Sequence, residues 1–378
     1  MELNPDTLQG YLRNRHAEIG VFDLDTEFRV EEIGDGNLNT VYRVSDRARP
    51  ECSIVLKHAP PYIKVLGPDY PLSTERLTYE SRALDVYNRL VSGTVPAQYS
   101  FDAKAAVIAM EDLRNARVLR ADLIAGTVDP LIAEQIGRFM GIVHSRTYID
   151  NVNGETAHRC RQQFANTIMQ SITADYVFTF PYIEHETNFW TLGLASDVQQ
   201  LKMDSDFLRQ TSRLKQIFLT VQQGVTHGDL HTGSVLIQDN TAKVIDAEFA
   251  FYGPVGFDLG LYWANYLLSY FSHQDALRVQ SALKTAIVQT WHAYTTEFKT
   301  VDAGLKAQTL QNIFHDAIGF AGLEVLRRLI GAAHVKDIEG IVDIPRKLRV
   351  ERAALQFGTT LVKQHRSFQD IAAVIAVL

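Results

Sequence analysis

Three acids set the chemistry of this chain: Asp229, Asp246 and Glu248, within THGDLHTGSVLIQDNTAKVIDAEFAFYGP, residues 226–254. The stretch reads as a tight loop (227–234), a short strand (235–237), a polar turn at Asp239-Asn240-Thr241 and a second strand (243–246). Two apolar β-branched runs split by an Asp-Asn turn signal a hairpin. Asp229 precedes the first strand, and Asp246 and Glu248 end the second, so antiparallel pairing brings all three carboxylates to one edge. Like charges held that close repel, and they persist where a divalent cation or a transferred proton needs them. Phosphoryl transfer has that need. One carboxylate orients and deprotonates a hydroxyl while others hold Mg²⁺ against the phosphates of ATP. Asp246 and Glu248, two apart on an extended segment, point to one side and can share metals.

Such a site also needs elements that hold a nucleotide. In EEIGDGNLNTVYRV, residues 31–44, Gly34 and Gly36 permit positive φ and let backbone N–H groups approach phosphate oxygens. Asn37 and Asn39 add amide donors. SIVLK, residues 53–57, is a strand by its β-branched content and ends on Lys57. After Pro71 a helix spans 73–90, with Ser73 or Thr74 as its cap and an apolar stripe of Leu77, Leu84, Tyr87 and Val91. Glu80 falls on that stripe. A carboxylate there is costly unless paired, and Lys57 is its partner; the alternative rolls Glu80 out to solvent. The run 105–110 is a buried strand that leads into Glu111-Asp112-Leu113, the crossing between two lobes. The expected division is a nucleotide-binding lobe, residues 1–112, and a helical catalytic and substrate-binding lobe, residues 113–378.

Helical periodicity dominates after Asp129. Asp258 opens a helix and either caps it or accepts bonds from the 227–234 loop. The helix 323–331 is apolar nearly all round, yet it carries Arg327 and Arg328. Guanidinium groups so placed require carboxylate, phosphate or hydroxyl partners. They form either an internal salt bridge, with Glu324 for instance, or a fork for substrate hydroxyls.

With 378 residues the chain can build two packed lobes, and 46% hydrophobic with 21% charged residues is ordinary for a globular enzyme. A net charge of −7 argues against nucleic acid as the main partner. Cys52 and Cys160 form neither a C-x-x-C pair nor a disulfide framework, which fits a cytoplasmic setting. The polar start, MELNPDTLQG, is not a signal peptide, and no apolar run approaches membrane-spanning length.

The order H-G-D, strand, turn, strand, D-x-E resembles the catalytic and metal loops of protein-kinase-like phosphotransferases. The words GDGNLN, MEDL, HGDLHTGS and DAEFAFYGP, with the Arg pair, are similar to the 5-methylthioribose kinases over nearly the whole chain. The resemblance implies an α+β fold of two lobes, a small antiparallel sheet above a larger helical body. It implies ATP with Mg²⁺ and transfer to the 1-hydroxyl of 5-methylthioribose, in methionine salvage. Asp229 is then the base, and Asp246, Ala247 and Glu248 are the metal-bearing triplet. Lys57, paired with Glu80, holds phosphates, and the 34–39 loop covers them. Backbone at Glu111, Asp112 and Leu113 meets adenine, and Arg327 and Arg328 hold the sugar. The apolar tail, residues 371–378, packs either on the lobe or on a partner subunit, so a homodimer stays open. The resemblance implies a lid at residues 60–72, where Tyr70 stands in the place of the family's Trp. Ser234 replaces the Asn that aminoglycoside, choline and homoserine kinases carry. Those relatives are the rival enzymes, and a nucleotide-binding pseudokinase is the rival from another class.

Overall fold

The computed structural model describes residues 5–34, 38–301 and 307–378. Gly36 and Asn37 lie outside the described residues. The chain opens with α1 (Pro5–Ile19), then β1 (Phe28–Glu32), β2 (Thr40–Asp46) and β3 (Ser53–His58). Next come α2 (Arg76–Leu90), β4 (Gln98–Asp102) and β5 (Val107–Glu111). These strands form one antiparallel sheet in the order β1-β2-β3-β5-β4. In β3 the alternation buries Ile54 and Leu56 against Leu8, Leu12 and Phe28 on one face. Lys57, one position out of step, is thereby turned to the other face, beside α2.

The remainder is mostly helical. It begins with β6 (Arg117–Val118), α3 (Leu119–Ile124), α4 (Pro130–Thr147), α5 (Gly154–Gln163) and α6 (Thr167–Phe178). Then follow α7 (Ala195–Met203), α8 (Ser205–Thr220) and β7 (Gly224–Thr226). The hairpin is β8 (Val235–Gln238) with β9 (Thr241–Val244), paired Val235 to Val244. Asp239 and Asn240 both take positive φ, 50° and 59°. Two such residues make a two-residue primed turn, whose twist suits a hairpin, so Thr241 joins the strand instead of the turn. After β10 (Phe251–Gly253) come α9 (Gly256–Ser272), α10 (Leu277–Val301), α11 (Ala307–Ile330), α12 (Lys336–Glu339), α13 (Ile344–Gln364) and α14 (Ile371–Ala376).

Helix α9 is buried along its whole length, with Phe257, Tyr262, Trp263 and Tyr266 at its centre. It packs on α11 through Gly260, where an added Cβ would stand 2.8 Å from the Ala317 carbonyl oxygen. The arginine-bearing segment is the end of one long helix, α11, rather than a separate one. The C-terminal tail packs back on its own chain: Tyr270 donates to the Leu378 carbonyl at 2.9 Å. Among the described residues no helix is long and apolar enough to cross a membrane.

Candidate active site

The site begins at Lys57. Its Nζ lies 2.7 Å from Glu80 Oε2 on α2 and 2.8 Å from Asp246 Oδ1. Lys57 and Glu80 are buried, while half of the Asp246 side chain is open. Burial works against the Lys57 ammonium, but Asp246, Glu80 and Glu248 outweigh it and raise its pKa, so the group stays charged. Burial pushes the Glu80 carboxyl up to about 7 against the pull of Lys57, with Asp246 and Glu248 adding to the rise. The carboxylates around Lys57 thus carry its shift, while burial is the larger cause of the Glu80 shift and the neighbouring acids only add to it.

The three acids do not close into a single ligand set; among the described residues no group of three or more metal-ligating side chains converges. The reason is local. Asp246 sits at φ 64°, ψ 46°, the left-handed region, and residues Ala247–Phe249 form a 3₁₀ turn instead of continuing the strand. A non-glycine residue held there costs about 1–3 kcal/mol, and such strain gathers at functional sites. The turn removes the extended geometry expected to align Asp246 with Glu248. Glu248 instead accepts from Asn39 Nδ2 at 2.7 Å, with Arg76 Nε 3.5 Å away. Asn39 in turn accepts from Arg76 Nε at 2.9 Å. The Asn39 amide, expected as a phosphate donor, is thus spent on this triad.

Arg76 went unnoticed in the sequence, although it lies four residues before Glu80 on the same helix. Its guanidinium donates to the carbonyls of Leu38, Pro60, Leu72 and Ser73. Holding the last two carbonyls this way keeps 73–75 out of the helix, so α2 starts at Arg76, not Ser73. Gly34 has φ 78°, as expected of the turn ahead of β2.

Asp229 is placed by backbone clamps. Asp258 accepts from the N–H groups of His227 (2.7 Å) and Gly228 (2.9 Å), and its Oδ2 lies 3.1 Å from His144 Nε2. Burial raises the Asp258 carboxyl, but the His144 bond and the neighbouring charges bring it below its ordinary range. Asp258 therefore serves the loop, and it makes no side-chain cap on α9. Gly228 has φ 81°, and a Cβ there would stand 2.2 Å from the Phe249 carbonyl oxygen. The His227 ring bonds the Ile245 carbonyl at 2.9 Å, tying the loop to the residue before Asp246. Ser234 Oγ reaches the Asp229 carbonyl at 3.4 Å and so buttresses the loop.

The crossing is anchored on both sides. Glu111 accepts from Lys243 Nζ at 2.6 Å, and Asp112 accepts from Arg43 Nε (2.8 Å) and Ser53 Oγ (2.7 Å). Both side chains are engaged within the protein, and the neighbouring Leu113 is buried. At the other end of the site, Glu324 is fully buried and holds both arginines. It accepts from Arg327 Nε at 2.5 Å and Arg328 Nε at 2.7 Å. Tyr70, in contrast, is exposed.

An antiparallel sheet bearing a buried Lys–Glu pair, beside a mainly helical body whose β7–β8 loop carries a clamped aspartate, is the architecture of a small-molecule phosphotransferase. The family model described as "Phosphotransferase enzyme family" matches residues 29–295. Two solved structures share the fold at 13% identity. A Plasmodium vivax ethanolamine kinase has TM-score 0.51, covering 94% of this chain and 89% of its own. A glucosamine kinase complex has TM-score 0.52, covering 94% and 83%. A curated relative from Geobacillus sp. (strain WCH70), named methylthioribose kinase, is 39% identical over 377 residues, 97% of this chain and 93% of its own. The chain belongs to the phosphotransferase enzyme family and, within it, to the methylthioribose kinases. It is an ATP-dependent small-molecule kinase.

Proposed function

We propose that the enzyme transfers the γ-phosphoryl group of ATP to the 1-hydroxyl of 5-methylthioribose, with residues 1–112 as nucleotide lobe and 113–378 as catalytic lobe. The observation that carries this reading is Lys57, a buried ammonium held between Glu80 and the half-open Asp246. Lys57 grips phosphate oxygens, and backbone at residues 111–113 meets the adenine, the side chains of Glu111 and Asp112 being engaged elsewhere. Asp229 takes the hydroxyl proton and orients the oxygen for attack. Arg327 and Arg328 bind the sugar hydroxyls.

The donor set fits magnesium. Asp246 offers a hard anionic oxygen at an open position, and the surplus of carboxylates around Lys57 favours a cation. Mg²⁺ is commonly held by one or two carboxylates plus substrate phosphates, which matches a site without three converging ligands. Asp246 and Glu248 are the residues that would hold it. When bound, the ion neutralises charge on the transferring phosphoryl group. Two free thiols, Cys52 and Cys160, support a reducing cytoplasmic setting.

The test is turnover of Mg-ATP by the purified protein with methylthioribose beside a panel of sugars, aminoglycosides and amino alcohols. Preferred transfer to methylthioribose is expected. Preference for choline, homoserine or an aminoglycoside, or nucleotide binding without turnover, would overturn the substrate assignment. Glu80→Gln should raise KM for ATP about tenfold, as loss of one charge-assisted bond of about 1.5 kcal/mol implies. An unchanged KM would mean that Asp246 places Lys57 alone. Glu248→Gln should raise the Mg²⁺ concentration for half-maximal rate by about tenfold. A superimposable metal titration would remove Glu248 from the metal.

A further inference from the structure

His231 has no role in the scheme above, yet among the described residues its Nε2 is the only basic nitrogen within ion-pair reach of Asp229, 3.7 Å from Oδ2. Its tautomer follows from its surroundings. The Gly233 backbone N–H donates to Nδ1 at 3.0 Å, and Ser234 Oγ lies 3.2 Å from the same nitrogen. A backbone N–H can only donate, so Nδ1 presents its lone pair and the ring proton sits on Nε2. Protonating the ring would place a hydrogen on Nδ1 and break the Gly233 bond. The surroundings act the same way: burial, then Arg120 and Arg328, with Arg327 behind them, press the imidazole well below its ordinary range against the pull of Glu324. The ring is also packed in place. A Cβ on Gly233 would stand 2.8 Å from His231 Cε1 and 3.1 Å from Arg120 Cζ. Arg120 is itself fixed by Asn265 at 2.9 Å.

We propose that His231 is a positioning residue: its Nε2–H, set by the Gly233 bond at the opposite nitrogen, donates to one oxygen of Asp229 and leaves the other for the substrate hydroxyl. This rests on the reading of Asp229 as the base. The separation of 3.7 Å is long for a hydrogen bond, and catalytic contacts in unliganded enzymes tighten once substrate is in place. A neutral donor has a specific merit here. It orients the carboxylate without the full counter-charge that an imidazolium would bring, and so leaves Asp229 its basicity.

Two substitutions separate positioning from mere turn formation. His231→Asn keeps an acceptor for the Gly233 N–H, as in an Asx turn, but has nothing at the Nε2 position. His231→Gln carries an amide N–H out to where Nε2 stood. If His231 positions the base, His231→Asn loses about 10- to 100-fold in kcat with KM for ATP unchanged, while His231→Gln recovers most of the rate. Equal kcat values in the two variants, whether both high or both low, overturn the proposal. A measurement on the unaltered enzyme needs neither variant: ¹⁵N-histidine spectra should show the Nε2–H tautomer for His231 at pH 7. An Nδ1–H or doubly protonated ring overturns the proposal. Asp229→Asn, assayed in parallel, tells the two failures apart. Its survival as an active enzyme removes the base and this role together, whereas its inactivity beside a wild-type His231→Asn removes only the histidine.

Discussion

Replacing Asp229 with asparagine should lower kcat by about 10²–10⁴-fold, the span of general-base catalysis, while fold and Mg-ATP affinity stay as they are. The substitution is isosteric, and the loop around it does not depend on the carboxylate. Its shape is set by Asp258 on the N–H groups of His227 and Gly228, by the His227 bond to Ile245, and by Ser234 on the Asp229 carbonyl. None of these contacts uses an Asp229 side-chain oxygen. What disappears is the proton acceptor and its charge. Steady-state kinetics with methylthioribose, together with calorimetric titration of Mg-ATP, give the two readouts. Retention of more than about one per cent of kcat would leave too little for a base to have supplied.

Glu324→Gln should be strongly destabilising, by about 3–5 kcal/mol, because it strands the buried Arg328 and the mostly buried Arg327 guanidinium groups without their counter-charge. Glu324 is fully buried and takes bonds from both Arg327 and Arg328, so the pair and the acid form one unit. Burial raises the Glu324 carboxyl, but the two arginines prevail and hold it below the usual glutamate range. A depressed folded-state pKa stabilises the fold above the unfolded-state pKa, and that contribution disappears as pH falls through the folded-state value. The gap in denaturant midpoint between wild type and Glu324→Gln should therefore be full at neutral pH and close on acidification below the glutamate range. A gap that is absent at pH 7, or that widens in acid, would contradict the pairing.

Much of this site could be read from spacing because its parts are local. The hairpin was signalled by two β-branched runs and a turn, and Lys57 with Glu80 by a strand end and a helical stripe. The family words GDGNLN, HGDLHTGS and DAEFAFYGP supplied the phosphotransferase fold. Of the two readings of the Arg pair, salt bridge or substrate fork, the structure shows the salt bridge, with Glu324 holding both guanidinium groups, and the fork stays a proposal. What escaped was the work of distant backbone. Arg76 gathers carbonyls from Leu38, Pro60, Leu72 and Ser73, segments that only the tertiary fold brings together. The left-handed backbone at Asp246 is one that Asp adopts only occasionally, and nothing in the local spacing marks this Asp for it over the chain's others. It ends the extended segment before Glu248, whose carboxylate accepts from Asn39. His231 was in plain view in HGDLHTGS, but its value depends on which nitrogen faces Gly233.

The near-contact of Gly228 with the Phe249 carbonyl has a dynamic corollary. The peptide carrying Asp229 and the turn headed by Asp246 are wedged against one another, and the His227 ring bridges the same two segments. Thermal excursions of either acid are then shared by the other. The gap spanned by an incoming terminal phosphate should fluctuate less than the absolute position of either side, and the enzyme would meet its nucleotide with that interval already set.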